Sequence, residues 1–287
     1  MTRKGAHRDK PAIAVLGGRG MLGTDLVAAC AAGGFDVCAY DLPEFDITDA
    51  EHLRGVVEAS DAILNCAAYT DVDAAETHTA LAHRVNAEAV GRLGELAAQY
   101  GRWVLHFSTD FVFDGTLDRP YVETDAPNPI NEYGRSKLAG EERLAQSGCS
   151  HCLVRLEWTY GRHGSNFVTK TIEHAKAGQS LIVVEDQIGS PTPTTLVAHA
   201  ACELLKQRVE GTFHLCSAGY VSRFGVAQFV FHRLGLDVDL KPCCSSEYLR
   251  PATRPLNSRF DCRKIQTLLK DPIEPWQQGI ECFLRQL

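Results

Sequence analysis

Tyr133 and Lys137 stand four residues apart in Tyr133-Gly134-Arg135-Ser136-Lys137, a spacing that puts both on one face of a helix. A cation beside a phenol favours the phenolate. Lys137 is therefore expected to make Tyr133 a stronger acid than an ordinary tyrosine, whose pKa is about 10. Such a pair can hand a proton to a carbonyl oxygen while another group delivers hydride. The spacing alone is common in helices. Its meaning depends on what stands upstream.

Upstream, Gly17, Gly20 and Gly23 form G-x-x-G-x-x-G between an apolar run, residues 12–16, and a helical repeat of Leu22, Leu26, Val27 and Ala29. In that setting the first glycine permits the tight turn and the second lets the backbone approach a pyrophosphate. The third lets the helix pack close on the strand. The pyrophosphate then rests on the positive end of the helix. Asp41 follows 24 residues after Gly17, at the end of the next strand, where a carboxylate can bond both ribose hydroxyls of an adenosine. Asp41 would repel a 2′-phosphate and so favours NADH. Arg19, inside the glycine loop, could pair with that phosphate and argues for NADPH. The balance leans to NADH, with NADPH open.

The elements that must hold these residues alternate. Short apolar strands are expected at 12–16, 35–40, 62–66, 103–107 and 152–156, with helices at 49–59, 81–100 and 133–146 between them. This order implies an α/β fold, a Rossmann-type doubly wound parallel sheet with helices on both faces. Beyond Tyr160 the pattern loosens. Helices are expected at 167–177, from 195, at 223–234 and at 276–284, with strands at 181–184 and 211–215, and residues 241–259 read as irregular. We therefore expect a dinucleotide-binding domain over 11–160. Residues 161–287 form a smaller, mainly substrate-binding α/β region, with segments returning to the sheet.

Composition sets outer limits. The 287 residues, 45% hydrophobic and 23% charged, suit a soluble globular chain with a substantial core. A net charge of -7 with no basic stripe argues against nucleic acid as a partner. No apolar run approaches the length of a membrane span. The basic opening, residues 1–10, lacks the apolar core of a signal peptide and reads as a disordered tail of a cytoplasmic protein. Eleven cysteines, scattered and odd in number, fit buried thiols in a reducing compartment. Cys149 and Cys152 have C-x-x-C form and Cys243 and Cys244 are adjacent, but neither has a second pair at zinc-finger spacing, so no metal is assigned. His106, on a strand, reads as a core residue rather than an acid.

Three further segments carry a resemblance. Asn65-Cys66-Ala67-Ala68-Tyr69-Thr70-Asp71-Val72-Asp73 follows the third strand, and Ser108-Thr109-Asp110-Phe111-Val112-Phe113-Asp114-Gly115 the fourth; Tyr133 and Lys137 come next. In this order the chain resembles the extended short-chain dehydrogenase/reductases that act on nucleotide sugars, and among them the dTDP-4-dehydrorhamnose reductase family. Glu123-Thr124-Asp125, Pro127-Asn128-Pro129, Asp186-Gln187, Gly189-Ser190-Pro191-Thr192 and Arg254-Pro255-Leu256-Asn257-Ser258-Arg259 extend the likeness over nearly the whole chain. One departure is Leu156-Glu157 before Trp158, where the family carries a small polar pair.

The resemblance implies reduction of the C4 ketone of dTDP-4-dehydro-L-rhamnose by NADH or NADPH. Tyr133 gives the proton, Lys137 lowers its pKa and bonds the nicotinamide ribose, and Thr109 donates to the same oxygen. It also implies that Gly20, Met21 and Leu22 cover the pyrophosphate, Asp46 and Ile47 flank the adenine, and Ala67, Ala68 and Tyr69 line the cofactor groove. Asp110 is either a substrate contact or a turn cap. Trp158 is either a sugar-nucleotide contact or core packing. Arg254 and Arg259 are candidates for the substrate pyrophosphate, with surface ion pairing the alternative. The likeness extends to the β regulatory subunit of methionine adenosyltransferase, so a non-catalytic role stays open, as does another nucleotide-sugar reductase or epimerase. Some members of the family form metal-bridged dimers. No clear glutamate cluster supports one here, and a homodimer stays open.

Overall fold

β1, Ala12–Leu16, is buried along its whole length and has a parallel neighbour on each side: β2, Asp36–Tyr40, and β3, Ala62–Asn65. A strand covered on both faces has no solvent side, which is why it reads as an unbroken apolar run. The structure is a computed structural model that describes residues 10–287; apart from Lys10, the expected basic tail lies outside the described residues. β4, Trp103–Thr109, β5, His151–Leu156, and a later strand, Gly211–Leu215, complete a six-stranded parallel sheet. With β6 for Leu181–Val184, that later strand becomes β7, and the sheet order is β7-β5-β4-β3-β1-β2. The chain winds one way from β1 to β2 and the other way from β1 to β3. A crevice therefore opens beyond the carboxyl ends of these strands.

Alternate residues of each strand feed opposite faces. Ile13, Val15, Leu64, Leu105 and Val154 pack against α1, Met21–Ala32, and against Thr194–Gln207. Ala14, Leu16, Ile63, Val104 and Leu153 pack against α2, Ala50–Ala59, and α3, Ala89–Tyr100. α2 starts at Asp49, whose carboxylate accepts the amides of Glu51 and His52.

The single helix expected over 81–100 is interrupted. Thr79–His83 runs into a wider π-turn, Arg84–Glu88, before α3 begins. The wider turn carries Asn86, fully buried, whose amide bonds both the N–H and the C=O of Tyr69 and the Ser136 hydroxyl. A side chain satisfied this fully offsets the cost of irregular helix, and such turns gather at functional sites.

α4, Glu132–Gln146, begins at Asn131, which caps the Gly134 amide at 2.8 Å. Its inward face includes Ser136, Lys137, Gly140, Glu141 and Leu144, so a helix of low hydropathy buries two charged residues against the sheet. Glu141 pairs with Arg155 of β5 at 2.6 Å, both side chains almost wholly enclosed. The segment beyond Tyr160 returns to the main sheet through β7 and through α6, Thr194–Gln207. Its own core lies between α5, Phe167–Lys176, α7, Arg223–Leu234, α8, Trp276–Leu284, and β6. Residues 241–259, expected to be irregular, open with β8, Leu240–Cys243, paired in parallel with β6. That strand depends on a distant partner and contains a proline, so no local pattern marks it.

The Glu141–Arg155 pair joins the helix of Tyr133 to the sheet. Glu141→Gln leaves a buried guanidinium without its counter-charge and should cost about 3 kcal/mol in urea unfolding. A loss below about 1 kcal/mol, the scale of an exposed pair, would contradict this account of the junction.

Candidate functional site

The crevice at the strand ends is a cavity of about 1710 Å³. Its floor carries the glycine loop. Gly17 has φ +73, and a Cβ there would stand 2.8 Å from the Ala67 nitrogen. A Cβ on Gly23 would stand 2.0 Å from the Gly17 carbonyl oxygen, so the loop folds onto the first turn of α1 only with glycine at both places. α1 starts at Gly20 with no side-chain cap and no acidic residue in its first turn. Its leading amides are left for an anion, as a pyrophosphate-binding turn requires. Met21 and Leu22 flank these amides and line the cavity.

Asp41, Asp46 and Ile47 line the adjoining wall, as do Ala67, Ala68 and Tyr69 beyond β3. The Asp41 carboxylate accepts the amides of Arg19 and Leu42, both at 2.9 Å. Arg19 does not line the cavity. Its guanidinium is largely exposed and bonds Glu44 at 2.8 Å. These surfaces fit a dinucleotide: a cradle that side chains would fill, a free helix start and a carboxylate at the end of β2.

Thr109, Asp110, Tyr133 and Lys137 face the same cavity from the end of β4 and from α4. Lys137, 2% exposed, donates from Nζ to the Phe107 carbonyl at 2.7 Å. Burial pulls its pKa down to about 8, against the pull of Glu141 and Cys66. The Tyr133 phenol moves opposite to the direction expected from its lysine neighbour. Burial pushes it up to about 12, the Asp110 carboxylate adds to this, and only the Thr109 hydrogen bond opposes. Both residues of the pair line the cavity, but desolvation sets the direction of the phenol's shift, and the lysine cation is engaged by the Phe107 carbonyl. At neutral pH Tyr133 is therefore a protonated donor, the form that ketone reduction needs.

Asp110 is enclosed by its own bonds. Oδ1 accepts the Thr109 hydroxyl at 3.0 Å and Oδ2 the Ser258 hydroxyl at 2.5 Å, while burial raises its pKa. Capping falls instead to Thr109, whose Oγ1 accepts the Phe111 amide at 3.2 Å. Trp158, at φ +45, lines the cavity. Its neighbour Glu157 does not: Oε2 accepts the Ser190 amide at 3.0 Å, and burial drives the carboxyl well above the usual carboxylate range. Turned inward to Ser190, the Glu157 carboxyl does not line the cavity surface.

The two candidate arginines separate. Arg254 lines the cavity, with both arms on Asp73 at 2.6 and 2.8 Å. Arg259 does not reach it; it bonds Asn257 Oδ1 at 2.9 Å and the Asp118 carbonyl at 2.6 Å. Of the two candidates for the pyrophosphate, only Arg254 is placed on the cavity wall. Arg223, in the cavity wall, escaped the sequence reading, as did Asn86 behind Tyr69. His106 is buried, with Nδ1 bonded to Asn65, and burial keeps it neutral. Among the described residues no group of three or more His, Cys, Asp or Glu is placed to hold a metal, and no helix is long and apolar enough to cross a membrane.

Comparison with known proteins places this site in context. The family model described as "RmlD substrate binding domain" matches residues 11–287. The dTDP-4-dehydrorhamnose reductase of Mycolicibacterium smegmatis is 38% identical over 94% of this chain and 84% of its own length. That of Escherichia coli K12 is 34% identical over 96% and 97%. Among solved structures, a dTDP-4-dehydrorhamnose reductase from Bacillus anthracis in complex with NADP superimposes with a TM-score of 0.93 at 31% identity, covering 97% of this chain and 100% of that one. A Thermus thermophilus UDP-glucose 4-epimerase with NAD gives a TM-score of 0.84 at 20% identity over 96% and 98%, a likeness of fold.

The ammonium of Lys137 is present below pH 8 and lost above it, because burial lowers its pKa to that value. Ketone reduction at saturating cofactor should therefore fall as pH rises through about 8. A rate profile flat to pH 10, the range of an ordinary lysine, would contradict a role for that charge.

Proposed function

Because the chain belongs to the dTDP-4-dehydrorhamnose reductase family, we propose that it reduces the C4 ketone of dTDP-4-dehydro-L-rhamnose to dTDP-L-rhamnose with NADH or NADPH. The observation that carries this reading is the sharing of one cavity by the glycine loop and by Thr109, Tyr133 and Lys137. Residues 11–160 bear the dinucleotide, and the chain beyond 160 supplies most of the wall for the sugar nucleotide. The bound nicotinamide supplies hydride to C4.

The protein's own residues manage the charge that follows. Tyr133 gives its phenolic proton to the oxygen that was the ketone. A phenol held near 12 stays protonated at neutral pH and is still a stronger acid than the alcohol it forms. The Thr109 hydroxyl, whose one proton goes to Asp110 Oδ1 in the structure, would turn that proton to the same oxygen when substrate binds, where negative charge develops. Lys137 brings a positive charge to the floor of the site, fixed in direction by the Phe107 carbonyl. Gly17, Gly20 and the first amides of α1 hold the pyrophosphate. Asp41 takes the adenosine ribose, and its negative charge, with Arg19 drawn away to Glu44, supports NADH as the better donor.

The test is cofactor oxidation with dTDP-4-dehydro-L-rhamnose set against a GDP-linked keto sugar, each with NADH and NADPH. The expected result is turnover confined to the dTDP sugar, with the larger kcat/KM for NADH. Preference for the GDP sugar would overturn the substrate. Cofactor binding without turnover on either sugar, with a captured partner, would point to a regulatory subunit.

A further inference from the structure

Arg223 opens α7, and backbone pairing sets its place. Its amide donates to the Gln187 carbonyl at 3.3 Å, and Ser222 pairs with Ile188. The guanidinium lies 3.7 Å over the Trp158 ring and 5.1 Å from the centre of the Phe167 ring. Two aromatic slabs fix the plane of the fork without using its N–H donors. Among the described residues these donors make no hydrogen bond or ion pair with the protein. Arg254 and Arg259 differ in this respect, since acceptors of the protein occupy both. Burial pulls the Arg223 pKa down to about 10, and the carboxyls of Asp110 and Glu157 hold it up, so the group stays charged at neutral pH.

A charged fork held against rings, in a cavity wall, is a recognition site for an anion. The reaction indicates which anion. C4 of the sugar must meet Tyr133 and Thr109. The carbon that bears the nucleoside diphosphate lies across the pyranose ring from C4, so the first phosphate sits one sugar away from the phenol. Arg223 lines the same cavity as Thr109, Asp110 and Tyr133, and it is held there over Trp158, another residue of that wall. We propose that Arg223 is the ligand of the substrate diphosphate, with Trp158 as the rigid backing of its guanidinium. This deepens the nucleotide-sugar reading and rests on it.

Calorimetric titration of the NADH-loaded protein with dTDP and with thymidine tests the assignment without turnover. Wild type should bind dTDP more tightly than thymidine. Arg223→Gln should lose about 10- to 100-fold in dTDP affinity, the worth of one or two charge-assisted bonds, and keep its affinity for thymidine and NADH. Arg223→Lys, a point charge without the fork, should recover part of the loss. Arg223→Met, which keeps the apolar stem over Trp158, repeats the test if the Gln variant does not fold. An unchanged preference for dTDP over thymidine in a folded Gln or Met variant would overturn the assignment and leave the reductase reading intact. Wild-type protein that binds neither nucleotide, nor turns over the dTDP sugar, would remove both.

Discussion

An ammonium enclosed by protein, bonded to a backbone carbonyl of the central strand, is the feature on which the rest of the site depends. Lys137 donates to Phe107 of β4, and with the Glu141–Arg155 pair that bond seats α4 on the sheet, which brings Tyr133 and Thr109 to one cavity. Burying such a group is costly unless the surroundings compensate. Compensation comes from Glu141, one turn further along the helix, which is itself balanced by Arg155 on β5. Asn86, in its widened turn, ties Ser136 of the same helix to Tyr69 of the cofactor wall. The two halves of the cavity are thus held in register by polar contacts in a place where most helices bury only apolar side chains.

The same enclosure decides the acid–base state. Desolvation shifts the almost wholly enclosed Asp110, Glu157 and His106, and the half-buried Tyr133 at the cavity wall, toward their neutral forms. A neutral phenol is the competent donor for reduction. The orientation of Glu157 resolves what looks like a misplaced charge beside Trp158, since its carboxyl turns to the Ser190 amide instead of the cavity. In the reading proposed above, the lysine serves the reaction as a positioned charge, fixed by the Phe107 carbonyl.

Much of this was legible from the residues. The glycine loop, Asp41 and the Tyr–Lys spacing are local signals, each with a mechanical reason to lie next to a strand end or on one helix face. The direction of the Tyr133 shift was not legible, because spacing reports neighbours and says nothing about lost water. Nor could local pattern separate Arg254 from Arg259: one meets Asp73, far back in the chain, and the other meets Asn257 and Asp118. Arg223 gives no signal until the chain brings Trp158 beneath it. The π-turn and β8 likewise rest on distant partners, Tyr69 with Ser136 for one and β6 for the other.

The central claim is that one phenol transfers the proton that completes ketone reduction. Its most direct test is Tyr133→Phe, which removes a single oxygen from a ring packed edge-on against Phe111. Turnover of the keto sugar by this variant should fall by about a hundredfold or more while NADH binds as it does to wild type. Reduction at a rate near that of wild type would contradict the account.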